Sequence, residues 1–165
     1  MKRRIYLDKL TSEDFEQYYE LVGNEMVMAM ITERALDEEE ALEKFEHFLR
    51  NGEVHLEYGT FKIFERQTGK LLGLAKLEIL GDRRQEAELG YMLKPDYWGK
   101  GFGNEITEVL METALSDPSL KRVYAITDPQ NIASRKILLN NGFSSEKVYA
   151  LDGLPSEQFG RNVDL

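Results

Sequence analysis

The sequence predicts an α+β fold of mixed α/β type: a central, mostly antiparallel sheet flanked by helices, in a single domain over residues 1–165. Three observations lead there. Alternating apolar runs separated by glycine-bearing turns fill the middle of the chain, as in strands joined by hairpins. Elsewhere the chain carries the three-and-four spacing of amphipathic helices, with start or stop residues at their ends. In order the elements read β-α-α-β-β-β-α-β-α-β-β, seven strands and four helices, so the strand near Val123 has a helical crossover on either side.

Ile5 and Leu7 alternate with polar neighbours and form the first strand. Thr11 with Asp14 three residues on reads as a capping box, with Asp in place of the usual Glu. The helix it opens carries Phe15, Tyr18, Tyr19 and Val22 and ends near Gly23. A methionine-rich connection, residues 24–35, holds Met26, Met28 and Met30. Asp37 with Glu40 is a second capping box, and the helix it starts has Ala41, Leu42, Phe45, Phe48 and Leu49 on its apolar side. Asn51-Gly52 is the expected stop.

Three strands follow: Val54 to Glu65, Leu71 to Leu80 after a turn at Thr68-Gly69, and Ala87 to Leu93 after a turn at Gly81-Asp82-Arg83-Arg84. A helix from Gly103 to Ser116 places Ile106, Val109, Leu110, Thr113 and Ala114 on one face, and Asp117-Pro118 breaks it. Val123 to Ile126 is a short strand. Asn131 to Asn140 is helical and stops at Asn141-Gly142. Val148 to Leu151 and Phe159 to Val163 close the chain as a strand pair around Gly153 and Pro155.

Composition narrows the function. A net charge of −9 disfavours nucleic acid, whose phosphates need a basic surface, and suits a cationic partner. No apolar run approaches the roughly 20 residues of a membrane span, and the first residues lack a signal-peptide apolar core. The cytoplasm is the expected address. The absence of cysteine removes disulfides, thiolate zinc sites and thiol nucleophiles, and with only His47 and His55 no metal is expected.

The chemistry concentrates where the fourth strand ends. Pro95-Asp96-Tyr97-Trp98-Gly99-Lys100-Gly101-Phe102-Gly103 joins that strand to a helix N-terminus. Glycines let backbone approach a ligand, and the first helical N–H groups point outward unpaired, so the segment suits an anion. The spacing lacks the G-x-x-x-x-G-K-[ST] of a Walker A loop. Against G-x-G-x-x-G its third glycine falls one place early. What remains is a cradle for the pyrophosphate of coenzyme A.

That loop resembles motif A of the GNAT acetyltransferase superfamily, [Q/R]-x-x-G-x-[G/A], and Asn131-Ile132-Ala133-Ser134 through Gly142-Phe143 resembles its motif B. The Tyr97-to-Gly101 form is similar to the RimJ/RimL-type branch of ribosomal-protein N-terminal and spermidine acetyltransferases, with Trp98 where the wider superfamily has Gln or Arg. The resemblance implies a splay between the fourth and fifth strands, with acetyl-CoA as co-substrate. Its pantetheine arm would lie in the gap, paired to backbone as an added strand.

By the same resemblance, the N–H groups of Gly99, Lys100, Gly101, Phe102, Gly103 and Asn104 hold the pyrophosphate, with Lys100 adding charge at the edge and Trp98 packing beneath the loop. Met92 and Leu93 flank the arm through their backbone while their side chains fill the core. An N–H near Tyr91 or Met92 faces the thioester carbonyl. Asn131 and Ser134 share a helix face beside the arm. Asn131 also suits an N-cap, and Ser134 either binds coenzyme A or protonates the leaving thiolate. The tyrosine acid that many relatives carry four residues beyond Ser134 is absent, because Leu138 stands there.

Glu88 is the first choice of general base, with Glu86 as rival. It shares a strand face with Gly90 and Met92, and partial burial would raise its pKa. The resemblance places the methionine-rich connection at the wall of the acceptor pocket, while ordinary core filling is the other role its methionines suit. The expected reaction is direct acetyl transfer to a primary amine, either a peptide or protein N-terminal α-amine or a small polyamine. The alternative is a non-catalytic acyl-CoA-binding module of the same fold. Beyond a small-molecule or peptide acceptor the expected partners are no nucleic acid and no membrane, with a homodimer left open.

Overall fold

The computed structural model describes residues 3–79 and 85–164. In chain order its elements are β1 (Ile5–Lys9), α1 (Phe15–Val22), α2 (Glu25–Met28), α3 (Glu38–Val54), β2 (Gly59–Glu65), β3 (Leu71–Glu78) and β4 (Glu86–Leu93). A single 3-10 turn (Pro95–Tyr97) leads into α4 (Phe102–Ser116), followed by β5 (Arg122–Thr127), α5 (Ile132–Asn140), β6 (Ser144–Leu151) and β7 (Leu154–Asn162). The strands form one seven-stranded sheet in the order β1-β2-β3-β4-β5-β7-β6. Every neighbouring pair is antiparallel except β4 and β5. Those two pair only at Glu86 with Arg122, Ala87 with Val123 and Glu88 with Tyr124, so the ladder stops before Leu89 and the expected splay is present.

Period-two alternation decides which layer each strand residue serves. On one face Leu77, Leu89, Leu93, Val123 and Phe159 pack with Ile106 and Leu110 of α4. On the other, Leu74 and Met92 meet Tyr18, Leu21 and Met28 from α1 and α2 and Phe45 from α3. Beyond β3 that second face turns polar, with Glu86, Glu88, Arg122 and Gln158 along it.

Several expectations change. The helix of the second capping box forms as predicted, with both reciprocal bonds between Asp37 and Glu40, but it does not stop at Asn51-Gly52. Lys9 donates to the carbonyls of Gly52 at 2.6 Å, His55 at 2.9 Å and Leu56 at 3.1 Å. An ammonium on the last carbonyls lets the helix run on to Val54, and β2 starts only at Gly59.

Asp14 is the N-cap residue of α1 rather than its third helical position. Its carboxylate accepts from the Thr11 amide at 2.7 Å and from Lys62 at 3.0 Å. The methionine-rich connection contains a fifth helix, α2, which Asn24 caps by accepting from the Met26 and Val27 amides at 2.9 and 3.1 Å. The last two strands are longer than predicted, because β6 is exposed on both faces and shows no apolar alternation before Val148. They reverse at Asp152-Gly153, with φ of 52° and 79°, the signature of a two-residue hairpin turn. The Gly81-to-Arg84 turn and the Leu80 end of its strand lie outside the described residues. Among the described residues, no helix is long and apolar enough to cross a membrane.

Candidate active site

Pro95 lacks an N–H, and the chain leaves β4 there through its 3-10 turn. The Trp98 indole N–H donates to the Leu93 carbonyl at 2.9 Å and pins the loop to the strand end. Trp98 is 48% exposed, so it flanks the loop rather than packing beneath it as expected. Gly99 and Gly101 hold φ of 71° and 84°, a left-handed backbone that side chains resist.

Between them and the helix, Phe102 drops its ring into the core, with Tyr97 edge-on at 6.0 Å and the Arg4 guanidinium 4.1 Å from its centre. Arg4 also donates to the Lys100 carbonyl at 3.1 Å and to Glu105 at 3.0 Å. The loop is thus anchored from the core side through Phe102 and through a carbonyl. The first helical bond is from the Glu105 amide to the Gly101 carbonyl, which leaves the Phe102, Gly103 and Asn104 amides without intrahelical acceptors. No side chain caps them at Gly101.

The loop therefore fits an anionic pyrophosphate. Gly103 is required for a different reason: a Cβ there would sit 2.8 Å from the Tyr91 hydroxyl and 2.9 Å from Ile137 Cδ1. Lys100 is exposed with its ammonium 6.0 Å from the Tyr97 ring. The Asn104 side chain is committed elsewhere, donating to Glu108 at 2.8 Å and accepting from Asn141 at 2.9 Å, which leaves its backbone amide as the group available to a ligand.

The side chains of Met92 and Leu93 lie in the two cores, as expected of them. On the α4 side of the splay, Asn131 caps α5 by accepting from the Ser134 amide at 3.1 Å. The Ser134 hydroxyl lies 3.5 Å from that of Tyr91, and Leu138 is buried in the core. Sequence reasoning used Tyr91 only for its backbone. Its place two residues before the core residue Leu93 was the available signal that its ring points toward α4. Burial pushes the Tyr91 hydroxyl pKa up, and the bond with Ser134 opposes this.

The other face of β4 carries the carboxylates. Glu88 is partly buried, as expected, and Lys76 lies 3.0 Å from its Oε2, a partner the sequence does not indicate. Glu86 lies 3.5 Å from Arg122, which also binds Glu146. Directly opposite Glu88 on β3 stands Glu78, which sequence reasoning passed over as a polar residue in an apolar run. Glu78 is 3% exposed, and its Oε2 has no hydrogen-bond partner among the described residues. Burial raises its pKa; Lys76 and His47 oppose that rise and the Glu88 charge reinforces it. Met28 belongs to the core while Met26 and Met30 are exposed, so the methionines do not act as one wall. Among the described residues, no cluster of three His, Cys, Asp or Glu side chains is grouped for a metal.

A splayed parallel pair inside an antiparallel sheet, with a glycine loop and helix N-terminus at its open end, offers a gap for an extended arm and a seat for its anionic end. Residues 4–144 match the acetyltransferase (GNAT) domain, and the chain belongs to that family. The uncharacterized N-acetyltransferase YoaA of Bacillus subtilis (strain 168) is 27% identical over 148 residues, spanning 88% of this chain and 82% of its own.

Spermidine N-acetyltransferase from Vibrio cholerae, solved with CoA and spermine, superposes with a TM-score of 0.77 at 19% identity, over 96% of this chain and 95% of that one. RimL, a ribosomal L7/L12 alpha-N-protein acetyltransferase solved with coenzyme A, gives 0.80 at 17% identity, over 99% and 96%. At such identities the likeness establishes the fold. The protein is an N-acetyltransferase by family, as motifs A and B implied.

Proposed function

We propose that the chain, acting as one domain, transfers an acetyl group from acetyl-CoA directly to a primary amine carried by a peptide N-terminus or a small polyamine. The observation that carries this reading is the junction of two surfaces at one opening. The glycine loop and its free amides lie at the wide end of the β4/β5 splay, and carboxylates line the α3-side face where the strands still pair. An anionic donor suits the first surface and a cationic acceptor suits the second.

Acetyl-CoA supplies an acyl group activated as a thioester. The amides from Gly99 to Asn104 hold its pyrophosphate, and the β4 backbone near Tyr91 and Met92 orients the arm and donates to the thioester oxygen. Asn131 fixes the first turn of α5 and so presents Ser134, whose hydroxyl with that of Tyr91 is set to protonate the departing thiolate. The acceptor enters as an ammonium and must lose a proton before it can attack. A carboxylate of the facing pair Glu78 and Glu88 takes that proton. The chain has no cysteine, so no thiol acyl-enzyme intervenes.

Release of free thiol from acetyl-CoA, measured across N-terminal peptides, polyamines and aminoglycosides, tests the proposal. Turnover with at least one amine class is expected. Tight binding of coenzyme A with no thiol release across the panel would overturn it in favour of a non-catalytic acyl-CoA-binding module.

A further inference from the structure

We infer that Glu78 is the group that takes the proton from the acceptor's ammonium, with Glu88 as the second carboxylate that holds the ammonium in place. The inference rests on the amine-acetyltransferase reading and moves to Glu78 a role expected of Glu88 from its strand position.

Glu78 and Glu88 are direct partners across the β3–β4 ladder and project from the same face. Side chains so placed lie within contact range, and like charges facing each other there work against the sheet. Among the described residues, Lys76 is the cation in ion-pair contact with the two carboxylates, and it lies 3.0 Å from Glu88 Oε2. The Oε2 of Glu78 is buried without a donor among the described residues. A buried carboxylate oxygen with no partner is destabilising, and it is the arrangement expected of a site completed by a cationic N–H donor from a ligand.

A second orphan supports this. Thr60 is buried with its hydroxyl oxygen unpartnered among the described residues, and it lies in the next row of the sheet, opposite Lys76. Lys76 in turn pairs with Gly90, where β4 has already parted from β5. The carboxylates therefore stand at the closed end of the splay, one residue from where the gap for the arm begins.

Among the described residues, the charges around Glu78 come from three elements. Glu88 on β4 favours its protonated form, as burial does, while Lys76 on β3 and His47 on α3 oppose both. The Tyr149 pKa is raised by burial and, secondarily, by the Glu88 charge. An acceptor ammonium brings the charge of the two carboxylates and Lys76 to balance.

In the step itself, the ammonium gives one proton to Glu78, and the freed nitrogen lone pair forms the N–C bond to the acetyl carbon. The C–S bond breaks, the thiolate receives a proton from the Ser134 side, and the second nitrogen proton leaves through solvent to restore the donor. Glu78 then releases its own proton to solvent.

The test is kcat/KM against pH for the best amine of the panel, with coenzyme A affinity and thermal melting as controls. Glu78→Gln should remove the acidic limb and lower kcat/KM by roughly a hundredfold or more, the usual scale of general-base catalysis, with coenzyme A affinity unchanged. Glu88→Gln should keep the limb but move it to lower pH, because a like charge beside Glu78 is gone, and should raise KM for the amine.

A wild-type profile in Glu78→Gln, or loss of the limb in Glu88→Gln, overturns the inference while leaving amine acetylation intact. If Glu78→Gln fails to fold, the Glu88→Gln limb alone decides by the direction of its movement. A wild-type protein that turns over no amine removes the parent reading and this one together.

Discussion

Replacing Gly101 probes the cradle most directly, because two substitutions there separate backbone shape from hydrogen bonding. Gly101 holds φ of 84° immediately before α4, and proline locks φ near −65°, so Gly101→Pro forces a turn of about 150° at the helix start. It also deletes one of the amides that hold the pyrophosphate in the proposed cradle. A hydrogen bond to a charged group contributes roughly 1.5–3 kcal/mol, and a tenfold change in affinity is about 1.4 kcal/mol. Loss of that amide alone should weaken coenzyme A binding by about 10- to 150-fold, and the redirected loop should add to it.

Gly101→Ala keeps the amide. Its Cβ would meet the Arg4 guanidinium at 3.4 Å, an ordinary contact, so the cost is that of a non-glycine residue in left-handed backbone. That is roughly 1–2 kcal/mol, or a fall in Tm of about 2–8 °C for a chain of this size. Calorimetric titration of coenzyme A and thermal melts of both variants give the comparison. The expected pattern is a stability loss with affinity within about threefold for alanine, and a collapse of affinity for proline. Wild-type affinity in Gly101→Pro would refute the cradle, and equal losses in the two variants would refute the role of the amide.

Two further predictions concern the scaffold. Lys9→Met removes the ammonium that serves the Gly52, His55 and Leu56 carbonyls, and urea titration should show a loss of roughly 2–3 kcal/mol. An unchanged midpoint would return the end of α3 to its own residues. The Asp14 pKa lies below the ordinary aspartate value: burial pushes it up, but the Thr11 amide, Lys62 and the Thr11 hydroxyl together outweigh that push. A depressed carboxylate stabilises the fold above its unfolded pKa of about 3.9, and this contribution disappears as pH falls through the lower folded value. Asp14→Ala should cost about 3 kcal/mol at pH 7, the low end for a broken buried pair because Asp8 remains 3.6 Å from Lys62. The difference from wild type should shrink below about pH 4, and an equal difference at pH 7 and pH 3 would exclude the ion pair as its source.

What could be read from the chain alone was whatever depends on neighbours in sequence. The Asp37–Glu40 box needs only a three-residue offset, and it forms in full. The loop glycines were legible as a group, although they serve different ends: Gly99 and Gly101 supply left-handed backbone, and Gly103 supplies room for Tyr91 and Ile137. The unread features depend on partners far away in sequence. Nothing near Gly52 indicates that Lys9 will serve the end of its helix. Glu78 looks like a solvated strand residue until the register places it opposite Glu88 and the sheet buries it. Tyr91 and Ser134 meet only because β4 and α5 pack together, and no local spacing encodes that. β6 was half missed because an edge strand wetted on both faces carries no period-two signal.

The opposite faces of β4 divide the proposed chemistry between them. Leu89 and Leu93 bury themselves beneath α4, and Tyr91 between them reaches Ser134 and the underside of Gly103, so the α4-side face supports the donor. Glu88 and Met92 alternate with them and point to the α1–α3 side, where Glu78, Lys76 and Thr60 gather. A slip of one residue in the β3–β4 register would exchange the two sets, bringing Glu88 into the apolar layer and Leu89 out of it, which the core forbids. The hydrophobic pattern that folds the strand therefore also keeps the thiolate side of the reaction apart from the ammonium side. Substitutions at Glu88 or Lys76 can then alter acceptor recognition without touching the packing that supports the pyrophosphate loop. Changes at Leu89 or Leu93 should lower stability and coenzyme A affinity together.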